Sequence, residues 1–283
     1  MTANQSIECS PLNLSEYEGL LDAMSNHHNR SPSLEVLFNP AEFEALKARD
    51  LSQTVCVVFD VLRATSTMVT ALGNGAESII PVCEIADALA LQKQQPQVLL
   101  AGERNGLRIG KELTAGTPFD LGNSPREFTK EAVSGRRIVM TTTNGTRALR
   151  ACAHAQTVLA GAFLNLAATA TMVEKLDRSN VLLICGGTFE QVAYEDALAA
   201  GALCNLLWPK YGRGAVADSA QMAFDLFSLH QGDLVLALSQ SRNGQRLLGR
   251  PDLAQDVAFC ARLDTNSLVA VLDKDGAVRV GNG

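Results

Sequence analysis

The sequence predicts an α/β fold of mostly parallel or mixed sheets flanked by helices. Three observations carry that expectation. Short apolar runs alternate with amphipathic helical stretches along most of the chain, the order that parallel strands with helical crossovers require. A glycine stands where the helix "ATSTMVTALGNG" (64–75) should stop. Polar residues crowd the ends of the apolar runs, where an open α/β sheet gathers its ligands.

In chain order, residues 1–33 are polar, carry "SNHHNRSPS", and read as an N-terminal extension with one short helix, "LSEYEGLLDAMSN". Residues 34–283 read as the α/β domain. It begins with strand "LEVLF", helix "AEFEALKA" and buried strand "TVCVVFD". Helix 64–75, strand "SIIPV", helix "EIADALALQKQ" and strand "QVLLAG" follow. Next comes an irregular stretch, and loops beyond ~12 to 15 residues in compact domains are usually functional or disordered. Strand "RRIVMT", helix "GTRALRACAHA", strand "TVLAGAF", helix "LAATATMVEKL" and strand "NVLLICGG" resume the alternation. Helix "YEDALAAGALCNLL" and further helices lead to about Arg262, and "SLVAVLDKDGAVRV" closes the chain as a hairpin. Residues 54–82 and 136–163 both read strand, polar loop, helix, strand. That echo leaves open two similar βαβ-type subdomains, although such units share this pattern by physics alone.

Composition narrows the function. The 283 residues suffice for a substantial core, and 47% apolar with 19% charged residues is ordinary for a globular protein. No apolar run reaches the ~18 to 20 residues of a membrane span, and no secretory signal pattern opens the chain. A net charge of -6 argues against a nucleic-acid footprint. Seven cysteines, mostly inside apolar runs and without a C-x-x-C pair, read as reduced core residues of a cytoplasmic protein rather than zinc ligands.

Four strand ends carry candidate chemistry. "VVFDVLRATST" offers Asp60 and Arg63, with Thr65 and Ser66 leading into a helix; the plain alternative is an N-cap and a surface charge. "LLAGERNGLRIGKELTAGTPFDLGNSP" offers Glu103 and Arg104, and further on Asn123 in what alone would be a turn. Its "GLRIGKE" lacks the Ser or Thr that a P-loop places after the lysine. "MTTTNGTRAL" sets Thr142, Thr143, Asn144, Gly145 and Thr146 beside Arg147. It reads either as a threonine-rich turn or as a nest of donors for phosphate or sulfonate. "CGGTFEQVAYEDAL" places Glu195 and Asp196 at a helix start, which the macrodipole favours with or without a ligand. Carboxylates that keep several waters suit Mg²⁺ and arginine forks suit phosphate, so the set points to metal-assisted phosphoryl chemistry. No cysteine has arginine six positions later, "FDVLRAT" lacks the second aspartate of D-x-D-x-T, and none of the four histidines stands in a strand-end loop.

In this order, "DVLRATST", "AGERNGLRIG", "FDLGNSPREFT" and "MTTTNGTRAL" resemble the 2-phosphosulfolactate phosphatase family, and "VLLICGGT…EDALAAGAL" fits the same pattern. The likeness covers roughly residues 34–261; the extension before Leu34 is not part of it. The resemblance implies a family-specific α/β fold and a Mg²⁺-dependent phosphomonoesterase. Its reaction would release phosphate from 2-phospho-3-sulfolactate, a step of coenzyme M biosynthesis. It carries over Asp60, Arg63, Glu103, Arg104, Asn123 and Thr142 to Arg147 as expected site residues.

The expectation is therefore a cytoplasmic phosphatase for a small anionic phosphoester, without nucleic acid or membrane as partner and with a homodimer left open. Asp60, Glu103 and one of Glu195 or Asp196 would hold Mg²⁺, while Arg63, Arg104, Arg147 and the threonine loop would hold the anion. A metal-bound water would attack, with Asp60 as a covalent nucleophile the alternative. A non-catalytic binding protein for an anionic metabolite uses the same arginines, and Mg²⁺-dependent phosphate release separates the two. A nucleotide-binding domain is disfavoured by the failed P-loop and the lack of G-x-G-x-x-G.

Overall fold

The computed structural model describes residues 33–114, 116–177 and 180–281. The expected extension, with its short helix, lies outside the described residues except for Ser33, which starts the first strand.

Among the described residues, eleven strands form one mixed sheet, in the order β5-β4-β6-β3-β11-β10-β7-β2-β8-β1-β9. They are β1 (Ser33–Leu37), β2 (Thr54–Phe59), β3 (Ser78–Pro81), β4 (Leu99–Arg104), β5 (Leu107–Arg108), β6 (Arg137–Thr141), β7 (Thr157–Gly161), β8 (Asn180–Cys185), β9 (Ala215–Val216), β10 (Ala270–Leu272) and β11 (Val278–Val280). The helices are α1 (Phe43–Leu46), α2 (Ala64–Gly73), α3 (Ile85–Gln94), α4 (Lys111–Thr114), α5 (Lys130–Val133), α6 (Gly145–Ala151), α7 (Leu166–Leu176), α8 (Tyr194–Tyr211), α9 (Asp218–His230), α10 (Leu234–Gln240), α11 (Arg242–Leu248) and α12 (Ala254–Cys260). The expected fold class is the one observed.

The sheet has two parallel blocks. In one, β7, β2, β8, β1 and β9 run side by side; in the other, β4, β6 and β3 do. The closing hairpin β10–β11 is inserted between them, antiparallel to β7 on one side and to β3 on the other. β2 is buried at all six positions, as expected of a strand covered on both faces. Its side chains alternate between two cores. Val55, Val57 and Phe59 pack with α7, α8 and α9, whereas Cys56 and Val58 pack with α2 and α6.

The two echoing segments have a common task in this layout. β2–α2–β3 crosses from the first block to the second, and β6–α6–β7 crosses back. Two local expectations change, and the further helices expected after α8 are found. α6 stops at Ala151, so His154 lies in a turn rather than a helix. The irregular stretch contains the short hairpin strand β5, the turn-length helix α4 and a 3₁₀ turn at Pro125–Glu127. The region after α8 resolves into the four helices α9 to α12.

Candidate active site

The strand ends converge although four strands separate β6 from β2 in the sheet order, so the sheet must coil between its blocks. At the end of β2, the Asp60 N–H donates to Thr65 Oγ1 at 3.1 Å and Thr65 Oγ1 donates to the Asp60 carbonyl at 3.0 Å. Asp60 Oδ1 accepts from the Ala64 N–H at 3.1 Å. The end of β6 repeats the lock. Thr146 Oγ1 accepts from the Thr142 N–H at 3.3 Å and donates to the Thr142 carbonyl at 3.1 Å. Gly145 presses the two helix starts together, because a Cβ there would lie 2.6 Å from Ala64 Cβ and 2.7 Å from Asp60 Oδ2. The close approach is to Asp60 and its loop, and only glycine permits it.

Glu103, on β4, joins two more loops. Its Oε1 accepts from the N–H and hydroxyl of Thr143, both at 2.8 Å, and its Oε2 accepts from the Gly106 N–H at 2.6 Å. Asp196, at the start of α8, staples the β2 and β8 ends. Its Oδ1 accepts from the Val61 N–H at 2.8 Å and its Oδ2 from the Gly187 N–H at 3.0 Å. Beside it, Glu195 Oε1 accepts from Asn243 Nδ2 at 2.6 Å, while Glu195 Oε2 is buried without a hydrogen-bond donor among the described residues.

Arg63 is held rigidly. It is 3% exposed, with Nη1 on Asp256 Oδ2 at 2.8 Å and Nη2 on the Gly106 carbonyl at 2.8 Å. Asp256, on α12, is fully buried and also accepts from Ser124 Oγ and Arg126 Nε, both at 2.7 Å. One carboxylate thus ties α12 and the "FDLGNSPREFT" segment to the arginine of the β2 loop.

Three carboxyl groups buried in mutual electrostatic reach, Asp60, Glu195 and Asp196, resist ionisation. Burial pushes Asp60 up to about 6, with Glu103 and Glu195 adding and the Ala64 and Gly145 N–H groups opposing. Asp196 lies well above the usual range because it is buried beside Glu195 and Asp60. Glu195 is raised by burial, against the opposing pull of Asn243 and Arg246. A cation relieves such a cluster. Among the described residues no group of three or more His, Cys, Asp and Glu side chains forms a ready-made metal cage. Mg²⁺ does not need one, since it usually takes one or two carboxylates and completes its octahedron with waters and substrate oxygens. Among the described residues, Asn123 Oδ1 on the cavity wall is a buried acceptor without a donor, as is Glu195 Oε2 at the adjoining pocket, and cation ligation satisfies such atoms. Asp60, Glu103 and Asn123 are the oxygen donors the cavity wall would offer such an ion.

The cavity at these strand ends is narrow, about 40 Å³, room for a few waters or a small ion. Of the residues singled out in the sequence, Asp60, Arg63, Glu103, Asn123, Thr143 and Asn144 line it. Thr65, Ser66, Thr142 and Thr146 lie behind its wall, buried, with their hydroxyls engaged in the loop locks or, for Ser66, on the Val61 carbonyl. Two arginines are not brought to the cavity. Arg104 turns to the Cys83 carbonyl and Thr141 Oγ1, and the half-exposed Arg147 pairs with Glu190 at 2.7 Å on the surface. Asn243 and Arg246 of α11 line the cavity, and Asp256 anchors its arginine; the sequence reading named none of them.

Strand-end carboxylates and an immobilised arginine around one cleft define an α/β protein with a charged site at the carboxyl ends of its strands. The comparisons agree with that class. The chain belongs to the 2-phosphosulpholactate phosphatase family, whose model matches residues 41–275. It is 36% identical over 241 residues to a protein of Caldanaerobacter subterraneus subsp. tengcongensis named "Probable 2-phosphosulfolactate phosphatase", covering 84% of this chain and 95% of the relative. A protein of that name from Pseudothermotoga lettingae is 36% identical over 87% of this chain and 98% of its own length. One from Gloeobacter violaceus is 38% identical over 75% and 85%.

Proposed function

We propose that the protein is a Mg²⁺-dependent phosphomonoesterase that hydrolyses 2-phospho-3-sulfolactate, or a similar small phosphorylated acid, to the hydroxy acid and phosphate. The observation that carries this reading is the joint presence of Asp60, Glu103 and the pinned Arg63 on one cavity wall, in a chain whose relatives bear that phosphatase name.

Phosphoryl transfer leaves the protein little covalent work; positioning and charge stabilisation provide most of the rate. Arg63 serves both ends. Asp256 and the Gly106 carbonyl fix two of its nitrogens, so the guanidinium meets the phosphoryl group without reorganising. The locks at Thr65 and Thr146 hold Asp60 and the Thr143–Asn144 segment in place around the same space. Asp60 and Glu103 would hold Mg²⁺ from the cavity wall, with Glu195 or Asp196 as the third carboxylate, and the ion would supply charge neutralisation at the phosphoryl oxygens. Asp196, like Glu103, has both oxygens on backbone N–H groups, so either would offer a cation only its remaining lone pairs. Water adds to phosphorus as the ester P–O bond breaks, and the proton it loses ends on the departing alcohol. A cytoplasmic setting follows from the same reading; among the described residues, no helix is long and apolar enough to cross a membrane.

The test is phosphate release from 2-phospho-3-sulfolactate and phosphorylated three-carbon acids, with Mg²⁺ and with EDTA. Release that requires Mg²⁺ is expected. Tight binding of these esters without release under any metal condition would leave only a binding protein.

A further inference from the structure

Among the side chains that line the cavity, two carry guanidinium groups, and they are held in different ways. Arg63 is buried and pinned on two sides. Arg246 is exposed, and its Nη2 donates to Asn243 Oδ1 at 2.9 Å. The guanidinium lies over the Phe189 ring, 5.6 Å from its centroid. A cation–π contact at an exposed position is worth only ~0.5 to 1 kcal/mol, so an incoming anion can recruit this group at little cost.

The surroundings of Arg246 are nonetheless built. Asn243, Arg246 and Leu247 fall on one face of α11 at helical spacing, and all three line the cavity. Asn243 is buried and its orientation is settled. Its Nδ2 donates to Glu195 Oε1 and to Thr188 Oγ1, each at 2.6 Å, so its Oδ1 is presented to Arg246. Phe189 sits on a two-residue turn in which Phe189 and Glu190 both have positive φ, 49° and 57°. Reciprocal backbone bonds between Thr188 and Gln191, at 2.8 and 3.0 Å, close that turn. A fixed amide and an exposed ring carried on a closed turn thus frame a guanidinium whose other donors are uncommitted among the described residues. The remaining wall is acidic, with Asp60 and Glu103 on it, so an anionic group away from the phosphate needs its own cation.

We propose that Arg246 binds a second anionic group of the substrate, a carboxylate or sulfonate, and so makes the enzyme prefer phosphorylated acids to simple phosphate monoesters. The proposal rests on the phosphatase reading of the cavity. Arginine suits the task because its fork meets a carboxylate or sulfonate with two parallel hydrogen bonds.

The test is calorimetry on wild type, Arg246→Ala and Arg246→Lys with Mg²⁺ present. The probes are 3-sulfolactate, lactate, 2-hydroxyethanesulfonate and inorganic phosphate. Arg246→Ala should weaken 3-sulfolactate at least tenfold more than it weakens phosphate, with Arg246→Lys between, and a melting curve should show the fold retained. Whichever of lactate and 2-hydroxyethanesulfonate loses the more affinity identifies the group that Arg246 holds. Equal losses for 3-sulfolactate and phosphate, unchanged affinities, or no binding of 3-sulfolactate by wild type would each overturn the proposal. Binding needs no turnover. A chain that holds 3-sulfolactate through Arg246 but releases no phosphate from any ester would refute the phosphatase reading and leave this one standing.

Discussion

The two crossovers of the sheet use one device for two purposes. In each, the threonine at the second helical position ties back to the residue closing the strand: Thr65 to Asp60 in the first, Thr146 to Thr142 in the second. The first loop has one residue more, and it delivers charge. Asp60 and Arg63 both reach the cavity. The second delivers Thr143 and Asn144 to the cavity and sends its arginine to the surface. Position explains the difference. Arg63 precedes its helix as the N-cap, where the chain faces the strand ends. Arg147 stands two residues after Gly145, at the position matching Ser66 in α2, and its side chain leaves toward Glu190. A shared fold motif therefore does not predict shared chemistry, and the charged loop should be the more sensitive of the two.

The largest effect is expected at Asp60. Asp60→Asn should lower kcat/KM by at least ~100-fold, roughly 2.7 kcal/mol of transition-state stabilisation, because it removes a charge from a hard-cation site. It should also stabilise the metal-free fold at neutral pH. The folded-state pKa of about 6 lies above the ordinary 3.8, so the fold favours the protonated carboxyl. That contribution is complete below pH ~4 and is lost as pH rises through about 6. At ~1.4 kcal/mol per pH unit, the asparagine variant gains up to about 3 kcal/mol at pH 7. Melting curves in EDTA from pH 4 to 8 check this: wild type should lose stability across the window relative to the variant. Wild-type activity should fall as pH drops below about 6. An active Asp60→Asn enzyme would remove Asp60 from the site.

Next is the anchor of the first loop. Asp256→Ala should cost about 3 to 5 kcal/mol of stability, because it strands a buried guanidinium. Urea denaturation reads that loss directly. A loss below ~1 kcal/mol would mean that Arg63 finds another partner or water, and that its position is not fixed by α12.

What the sequence disclosed about this arrangement follows from which signals are local. The strands were legible because β2, β6 and β8 are apolar runs that end in polar residues, and burial on both faces requires that pattern. The insertion of the β10–β11 hairpin between the parallel blocks was not legible, because pairing partners leave no mark in so short a strand. Asp60, Arg63 and Glu103 were visible as charges at strand ends. Asn243 and Arg246 were not, since "RNGQRLL" is a short polar helix whose value depends on where α11 docks. Asp256 did leave a trace. It shares a helical face with Leu253, Val257 and Cys260, all buried, and a charge in such a stripe implies a partner. The threonines were ambiguous for a physical reason: hydroxyls that lock a loop, as at Thr65 and Thr146, and a hydroxyl that lines the cavity, as at Thr143, look alike until their partners are known.

Gly145 is where the loops touch, and Gly145→Ala tests whether the second supports the first. The added methyl would meet Ala64 Cβ and Asp60 Oδ2. The cost should be about 1 to 3 kcal/mol of stability, the usual range for overpacking, with kcat falling further than KM rises. A variant with wild-type melting and kinetics would show that α2 and α6 move apart freely.

The smallest effect should be at Arg147, and it completes the contrast with Arg63. Read as part of an anion cradle, Arg147→Ala would lower kcat/KM by ~1.5 to 3 kcal/mol, the range for hydrogen bonds to charged groups. The geometry leads to a different expectation. Arg147 is 43% exposed and its partner Glu190 55%, so their 2.7 Å contact is a surface pair screened by water and salt. Such pairs contribute about 0 to 1 kcal/mol. Any effect on catalysis must pass through the turn that Glu190 shares with Phe189, a turn already closed by its own backbone bonds. Arg147→Ala should therefore change kcat/KM less than about threefold and stability by less than about 1 kcal/mol. Arg63→Ala, measured beside it, should lose activity by orders of magnitude, since its loss leaves Asp256 short of a partner and the cavity short of its pinned cation. Steady-state kinetics and melting curves on the pair decide the matter. A loss at Arg147 as large as that at Arg63 would mean that the second loop swings its arginine into the cavity when substrate binds.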